Sequence, residues 1–321
     1  MRRLLGVLPV VLLLIPQPPA AEPAGGRFAP GKAGFAVRVR DLVIPYESFT
    51  VSVMPEATLT VSVERPPRGA SFTAKFSSGR VAATGPTRWT WRAPAAPGQH
   101  GATIRRAGDD RAISLNIFVM HPLSEVKNGF LNGYRIGSYP DKPLRGMPIY
   151  GKPNGFIEVT AENVDTQVSP HFTLKQFLCK QEGGWPKYVI LRGHLLLLLE
   201  WLLQEVNVRG IRTDTFTVMS GFRTPWYNDA IRNVLYSRHQ WGGAVDIFID
   251  ENPRDGIMDD LNGDGRIDRT DADFLYDMVE RLRGMRENAI YEGGLGGYGS
   301  TDAHGPFVHV DARGFRARWG R

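Results

Sequence analysis

From Phe35 to about Val119 the chain alternates apolar and polar residues in short runs, among them Phe35-Ala36-Val37-Arg38-Val39-Arg40 and Thr58-Leu59-Thr60-Val61-Ser62-Val63. Period two puts every second side chain on one face of an extended backbone, so such runs fold as half-buried strands. Turn-forming stretches, Arg65-Pro66-Pro67-Arg68-Gly69 and Ala93-Pro94-Ala95-Ala96-Pro97-Gly98, recur between them. The pattern predicts a small antiparallel β-sandwich over residues 27–121. No grouping of His, Asp or Glu falls there, which leaves a structural or surface-binding role for this part.

The 321 residues exceed one ordinary core, so a second folded unit follows. The N-terminus has the order of a secretory leader: Met1-Arg2-Arg3, an apolar run from Leu4 to Ile15, then Pro19-Ala20-Ala21. The run falls short of the roughly 20 residues that span a bilayer and Pro9 interrupts it, so residues 1–21 read as a removable signal peptide. No retained transmembrane segment is expected, and export places the mature chain in the periplasm or cell envelope. Cys179 is the only cysteine, so no intramolecular disulfide supports the fold, and it reads as a small buried apolar residue. A net charge of +6 and a pI near 9.5 favour an anionic partner. The basic residues are scattered, which argues against nucleic acid.

Between residues 122 and 168 the glycines and prolines multiply, and the segment reads as a connector wrapping a domain surface. Tyr188 to Val206 is strongly apolar, but Arg192, His194, Glu200, Gln204 and Glu205 mark it as a buried amphipathic helix ended by Gly210.

The chemistry concentrates further on, in Ser237-Arg238-His239-Gln240-Trp241-Gly242-Gly243-Ala244-Val245-Asp246 and in Phe307-Val308-His309-Val310-Asp311. Imidazole nitrogens and a carboxylate are ordinary zinc donors, and three protein ligands leave a fourth position open, as catalytic sites do. Gly242 and Gly243 permit a tight turn between the first two donors. Val245 to Asp250 alternates as a core strand, with Asp246 and Phe248 on one face, and His309 sits in a second such strand.

These residues resemble the M15 peptidases, the zinc D-Ala-D-Ala carboxypeptidase and murein endopeptidase group that shares a metal fold with hedgehog domains. Ser237, His239, Gly242, Ala244 and Asp246 meet the family pattern S-x-H-x-x-G-x-A-x-D, and Ser220-Gly221-Phe222-Arg223-Thr224-Pro225, followed by Tyr227-Asn228, is similar to its S-G-[YF]-R-[ST]-P segment. Val308-His309-Val310-Asp311, with Arg316 and Trp319 beyond, is similar to a murein endopeptidase branch ending in V-H-x-D. The resemblance spans roughly Ser169 to Arg321. It implies that His239, Asp246 and His309 bind zinc, that Arg223 faces the substrate, and that the substrate is peptidoglycan.

Many family members carry a glutamate or histidine two or three residues before the last ligand, where this chain has Phe307 and Pro306. The general base is therefore left to physical argument between Asp311, on the face of His309, and His304 in a loop. Asp311 is the preferred base, with orientation of the ligand imidazole as its alternative role.

Asp260-Leu261-Asn262-Gly263-Asp264-Gly265-Arg266-Ile267-Asp268-Arg269-Thr270-Asp271 resembles EF-hand and dockerin-type loops. Asp260, Asn262, Asp264, Asp268 and Asp271, with the Arg266 carbonyl, would supply calcium ligands of structural purpose, Asp271 replacing the usual glutamate. A helix carrying Phe274, Leu275, Met278, Val279 and Leu282 should follow, with Thr270 and Asp273 as its capping box.

The expected fold is therefore α+β: the antiparallel sandwich, then over residues 169–321 a hedgehog/DD-peptidase-like zinc domain with a small antiparallel sheet and helices, and the calcium loop inserted at 260–271. The expected activity is zinc-dependent hydrolysis of amide bonds in stem peptides or cross-links. A D-Ala-D-Ala carboxypeptidase or dipeptidase, and a non-catalytic zinc-containing wall-binding protein, stay open beside it.

Overall fold

The computed structural model describes residues 28–284 and 292–320; the expected signal peptide lies outside the described residues. Nine strands come first: β1 (Lys32–Val39), β2 (Leu42–Tyr46), β3 (Ser48–Val53), β4 (Thr58–Glu64), β5 (Phe72–Phe76), β6 (Arg80–Gly85), β7 (Arg88–Arg92), β8 (Gly98–Arg106) and β9 (Ala112–Val119). They form a five-stranded sheet of order β2-β1-β4-β7-β6 and a four-stranded sheet of order β3-β9-β8-β5. Alternation does its work here: Leu59, Val61 and Val63 of β4 and Ile113, Leu115 and Ile117 of β9 are buried. The antiparallel expectation fails at one place, because β3 runs parallel to β9 from Ser48↔Ser114 to Val53↔Val119. Residue alternation fixes which face is buried and carries no information on strand direction.

The α+β expectation is corrected as well. Twelve more strands follow, and with three α-helices among the described residues the chain is mainly β. Most of the unforeseen strands are two to five residues long and lie where a structureless connector was read: β10 (His121–Pro122), β11 (Phe130–Leu131), β12 (Tyr134–Arg135), β13 (Gly155–Val159) and β14 (Gln167–Ser169). β15 (Phe172–Thr173) pairs with β14, and β16 (Lys187–Val189) completes a three-stranded sheet of order β10-β13-β16. Runs this short, set between glycines and prolines, are too brief to show a period.

Tyr188 and Val189 thus belong to a strand, and helix α1 begins only at Gly193, running to Val208. Ten of its sixteen residues are buried, from Leu195 through Leu203 and Val206, so it is a core helix apolar nearly all round. No helix among the described residues is long and apolar enough to cross a membrane. Glu200 of α1, 1 % exposed, reaches back to the start of the described chain through His171. His171 Nδ1 lies 2.6 Å from Glu200 Oε2, its backbone N–H donates to Oε1, its Nε2 donates to the Ala29 carbonyl, and its ring stacks on Phe28.

Burial disfavours the charged imidazole of His171, but the Glu200 carboxylate outweighs it and raises the pKa. A raised folded-state pKa gives stability that is full below the unfolded value of about 6.5 and is lost as pH climbs through the folded value. The urea midpoint should therefore fall between pH 6 and pH 8.5, and His171→Gln should flatten that slope.

The remaining elements build the last sheet: β17 (Thr217–Ser220), α2 (Pro225–Ala230), β18 (Ala244–Phe248), α3 (Arg269–Arg283), β19 (Gly294–Tyr298), β20 (Phe307–Asp311) and β21 (Ala317–Trp319). Its order is β17-β18-β20-β19-β21, antiparallel except for β19 beside β21, which is a second departure from the expected antiparallel sheet. Arg283, 2 % exposed, ties the end of α3 to this sheet by donating to the carbonyls of Gly294 and Asp311.

Candidate metal centre

β18 and β20 are neighbours in the middle of this sheet, and their register sets Asp246 directly opposite His309. Ser220 at the end of β17 lies on the other side of Asp246. The third donor comes from a turn. Arg238–Trp241 forms one 3-10 turn, closed by Gly242 in the left-handed region at φ 61. A Cβ on Gly242 would stand 2.0 Å from the Ile190 carbonyl oxygen, so both backbone conformation and space demand glycine there. Gly242→Ala should cost about 3 kcal/mol or more, read as a fall in the urea midpoint.

The segment before α2 supports the same point. The Gly221 carbonyl accepts from His239 Nδ1 at 2.7 Å, and Ser220 Oγ accepts from Arg223 Nε at 2.8 Å. Thr224 caps α2 by accepting from the Tyr227 N–H, and Pro225 takes the first helical turn, where a missing donor costs nothing.

The three side chains meet at three atoms. His309 Nδ1 is 2.8 Å from Asp246 Oδ1, His239 Nε2 is 3.2 Å from the same oxygen, and the two nitrogens are 3.2 Å apart. Tautomers follow from the opposite ring atoms. His239 Nδ1 carries the proton given to Gly221, whereas His309 faces a carboxylate at each ring nitrogen, Asp246 at Nδ1 and Asp311 Oδ2 at Nε2 at 3.2 Å, and presents Nδ1 as a lone pair when Nε2 holds the proton. With both imidazoles neutral and those protons in place, two nitrogen lone pairs and a carboxylate oxygen face one another. That is repulsive by itself and is what a cation resolves; a tetrahedral ion with bonds of ~2.0–2.1 Å sets its donors ~3.3–3.4 Å apart. This buried His-Asp-His triad could hold a metal ion.

The electrostatics are tuned by what lies behind it. Burial lowers the pKa of His239, favouring the neutral ligand form. Burial acts the same way on His309, but the carboxylates of Asp246 and Asp311 outweigh it and raise the pKa. Asp246 would be raised by its burial, yet the two imidazoles hold it well below the usual carboxylate range. Its second oxygen accepts from Arg223 Nη2 at 2.6 Å, which leaves Oδ1 as the oxygen that faces the two imidazoles.

Of the two roles open to Asp311, the surroundings favour orientation. Asp311 is 0 % exposed and accepts from the Gly294 N–H, the Arg313 backbone and guanidinium, and His309. Those partners overcome burial and hold its pKa far below the usual range, so it has no affinity for a further proton near neutrality. His304 is placed differently. It lies on the loop between β19 and β20, edge-on to Phe307, and its Nδ1 donates to the Gly305 carbonyl at 2.8 Å, which leaves Nε2 as an acceptor.

His239, Asp246 and His309 open into a cleft of 1010 Å3 that His304 and Arg223 also line. Its walls include Tyr150, Tyr227, Tyr236, Tyr298 and Trp319, with Lys180, Arg238 and Arg313 adding positive charge. Tyr150 falls in the connector to which no chemistry was assigned, and nothing in the local pattern signals it. Cys179 is buried and uncharged, its pKa pushed up by that burial.

The residues read as a calcium loop gather in one turn at the head of α3 but do not converge on a point. Asp260 accepts from the backbone of Gly263, Asp264 and Gly265, and Asp264 from that of Arg266, while the Asn262 amide donates to Thr270. Asp268 is the helix cap and Asp271 completes the capping box, in place of Thr270 and Asp273. Asp271 also accepts from Leu261 and Asn262. Among the described residues the single group of three or more His, Cys, Asp or Glu whose ligand atoms draw together is His239, Asp246 and His309.

No family model matches the chain, and no curated relative matches it. Among solved structures it is similar to the adhesin InvE of Yersinia pseudotuberculosis, with 14% identity, a TM-score of 0.18, and coverage of 30% of this chain and 29% of that one. A likeness so slight carries no argument about fold or function.

Proposed function

We propose that the chain is an exported zinc peptidase that hydrolyses amide bonds in peptidoglycan stem peptides or their cross-links. The observation that carries this reading is the convergence of two imidazole nitrogens and a carboxylate oxygen in a large, aromatic-walled cleft. The choice of peptidoglycan rests on the resemblance of the two motif segments and on the leader-like N-terminus.

Zinc, when bound by His239, Asp246 and His309, supplies the Lewis acidity that polarises an amide carbonyl and activates water. The chain's own residues do the rest. Arg223 fixes Asp246 through one oxygen and brings a guanidinium to the cleft, where developing negative charge gains from it. Asp311 holds His309 in the tautomer that presents Nδ1. His304, the imidazole of the cleft outside the triad, takes the proton from the attacking water at Nε2 and returns it to the leaving amine. Calcium at residues 260–271 stays a structural proposal, subordinate to the caps those side chains already provide.

A carboxypeptidase acting on terminal D-Ala is the second reading, favoured by charge. Arg223 and Arg313 are paired with Asp246 and Asp311, while Lys180 and Arg238 line the cleft outside any ion pair among the described residues, which suits a substrate with a free carboxylate end. Digestion of cross-linked and uncrosslinked muropeptides with and without a chelator, followed by zinc restoration and mass analysis, tests both. Zinc-restored cleavage with a mass loss of D-Ala alone selects the carboxypeptidase, and separation of cross-linked dimers selects the endopeptidase. Metallated, folded protein that cleaves neither leaves a zinc-containing binding protein.

A further inference from the structure

A second cavity, of 360 Å3, lies between the β11–β12 hairpin and the loop leading to β16. It falls within the ~300–1,000 Å3 range of small-molecule sites. Two indoles define it. Trp185 is 47% exposed, and Trp226 of α2 is half-buried. Each ring plane is held by a cation: the Arg135 guanidinium stands 4.6 Å over Trp226, and Lys187 Nζ lies 5.6 Å from the Trp185 centroid.

Polar groups border the rings. A guanidinium stacked in this way keeps its N–H donors at the edge, and Arg135 makes no ion pair that would occupy them among the described residues. Glu182 offers acceptors from an exposed position on the opposite loop, and Asn132 is fixed by donating to the Tyr188 hydroxyl. Gly184 adds a further sign. Its backbone is not in the left-handed region and a Cβ there would meet nothing within 4 Å, so neither conformation nor packing calls for glycine. Gly184 lines the cavity with open space at its Cβ position, so a larger side chain there has room to enter it.

Flat aromatic faces with in-plane donors and acceptors beside them match one ligand chemistry closely. A pyranose ring is apolar on its C–H face and polar around its rim, so it stacks on indole while its hydroxyls and acetamido group bond sideways. We infer that this cavity is a saccharide subsite, taking an N-acetylated sugar ring of a glycan strand.

The cavity shares a wall with the metal cleft. Trp226 lines the cavity and Tyr227 the cleft, and Gln181 and Lys180 divide in the same way. A strand seated on Trp185 and Trp226 would therefore deliver its attached stem peptide across α2 toward the metal, an extension that rests on the peptidoglycan reading above.

The test titrates the zinc-loaded mature chain with a β-1,4-linked N-acetylglucosamine tetramer, read by tryptophan emission and calorimetry. Saturable binding is expected, weakened about ten-fold or more by Trp185→Ala and by Gly184→Leu, the loss typical of a truncated or blocked aromatic anchor. Hydrolysis of a glycan-free stem peptide should be unchanged in both variants, while hydrolysis of peptide still attached to glycan falls. No binding by the wild type, or equal binding by both variants, overturns the subsite, as does displacement of the tetramer by a proline-rich peptide at lower concentration. Sugar binding by a chain that cleaves no peptide would keep the subsite and remove the peptidase; peptide cleavage without sugar binding would do the reverse.

Discussion

His309→Ala is expected to release the metal and lower peptide hydrolysis by at least about three orders of magnitude, the scale of losing a principal stabiliser of developing charge. The argument is geometric. His239 Nε2 and Asp246 Oδ1, left alone 3.2 Å apart, form a two-donor site, and among the described residues no other His, Cys, Asp or Glu groups with them to replace the imidazole. The fold should survive, because His309 occupies one position of a five-residue strand whose buried neighbours Val308 and Val310 stay in place. Metal content by mass spectrometry of the native protein, with circular dichroism as control, checks the result. A His309→Ala protein that keeps one equivalent of zinc and full turnover would remove the triad from the mechanism.

Asp311→Ala should lower stability by about 3–5 kcal/mol, the usual cost of stranding a buried charge partner. Arg313 would lose the carboxylate it contacts through its backbone N–H, Nε and Nη2, and the His309 Nε2 proton would lose its acceptor. Zinc affinity should fall about 10–100-fold, as when a partner orienting a ligand histidine is removed. Asp311→Asn separates the two roles once assigned to this residue. An amide oxygen can still accept from His309 but cannot serve as a base, so near-normal turnover at saturating zinc is expected; near-complete loss at full metal occupancy would restore Asp311 as the base and displace His304.

How much of this was legible in the sequence depended on whether the signal was local. His239, Asp246 and His309 were readable because ligand chemistry needs few residue types and Gly242 punctuates the turn between the first two. The burial pattern of β4 and β9 was readable for the same reason, a period of two along one strand. Strand direction was not, since the parallel pairing of β3 with β9 joins residues 66 positions apart, as at Ser48↔Ser114, and leaves no mark on either segment. The mainly β character was hidden by strands as short as Phe130–Leu131 and Tyr134–Arg135. The loop at Asp260–Asp271 shows a further limit. One set of side chains satisfies a metal-loop spacing and a capping box together, and only coordinates reveal that Asp268 and Asp271 are engaged by the helix.

The setting of Asp246 opposite His309 in adjacent central strands has a consequence for metal exchange. In small zinc modules the ion organises the chain, and stripping it unfolds the protein. Here the sheet register, the Gly242 turn and the Arg223 and Asp311 contacts position the three donor side chains through protein groups alone, so removing a bound ion should leave the sheet folded. A chelator should then strip a bound divalent ion, and its return restore it, with the circular dichroism unchanged. Cobalt(II) placed there would become a coloured reporter of the cleft.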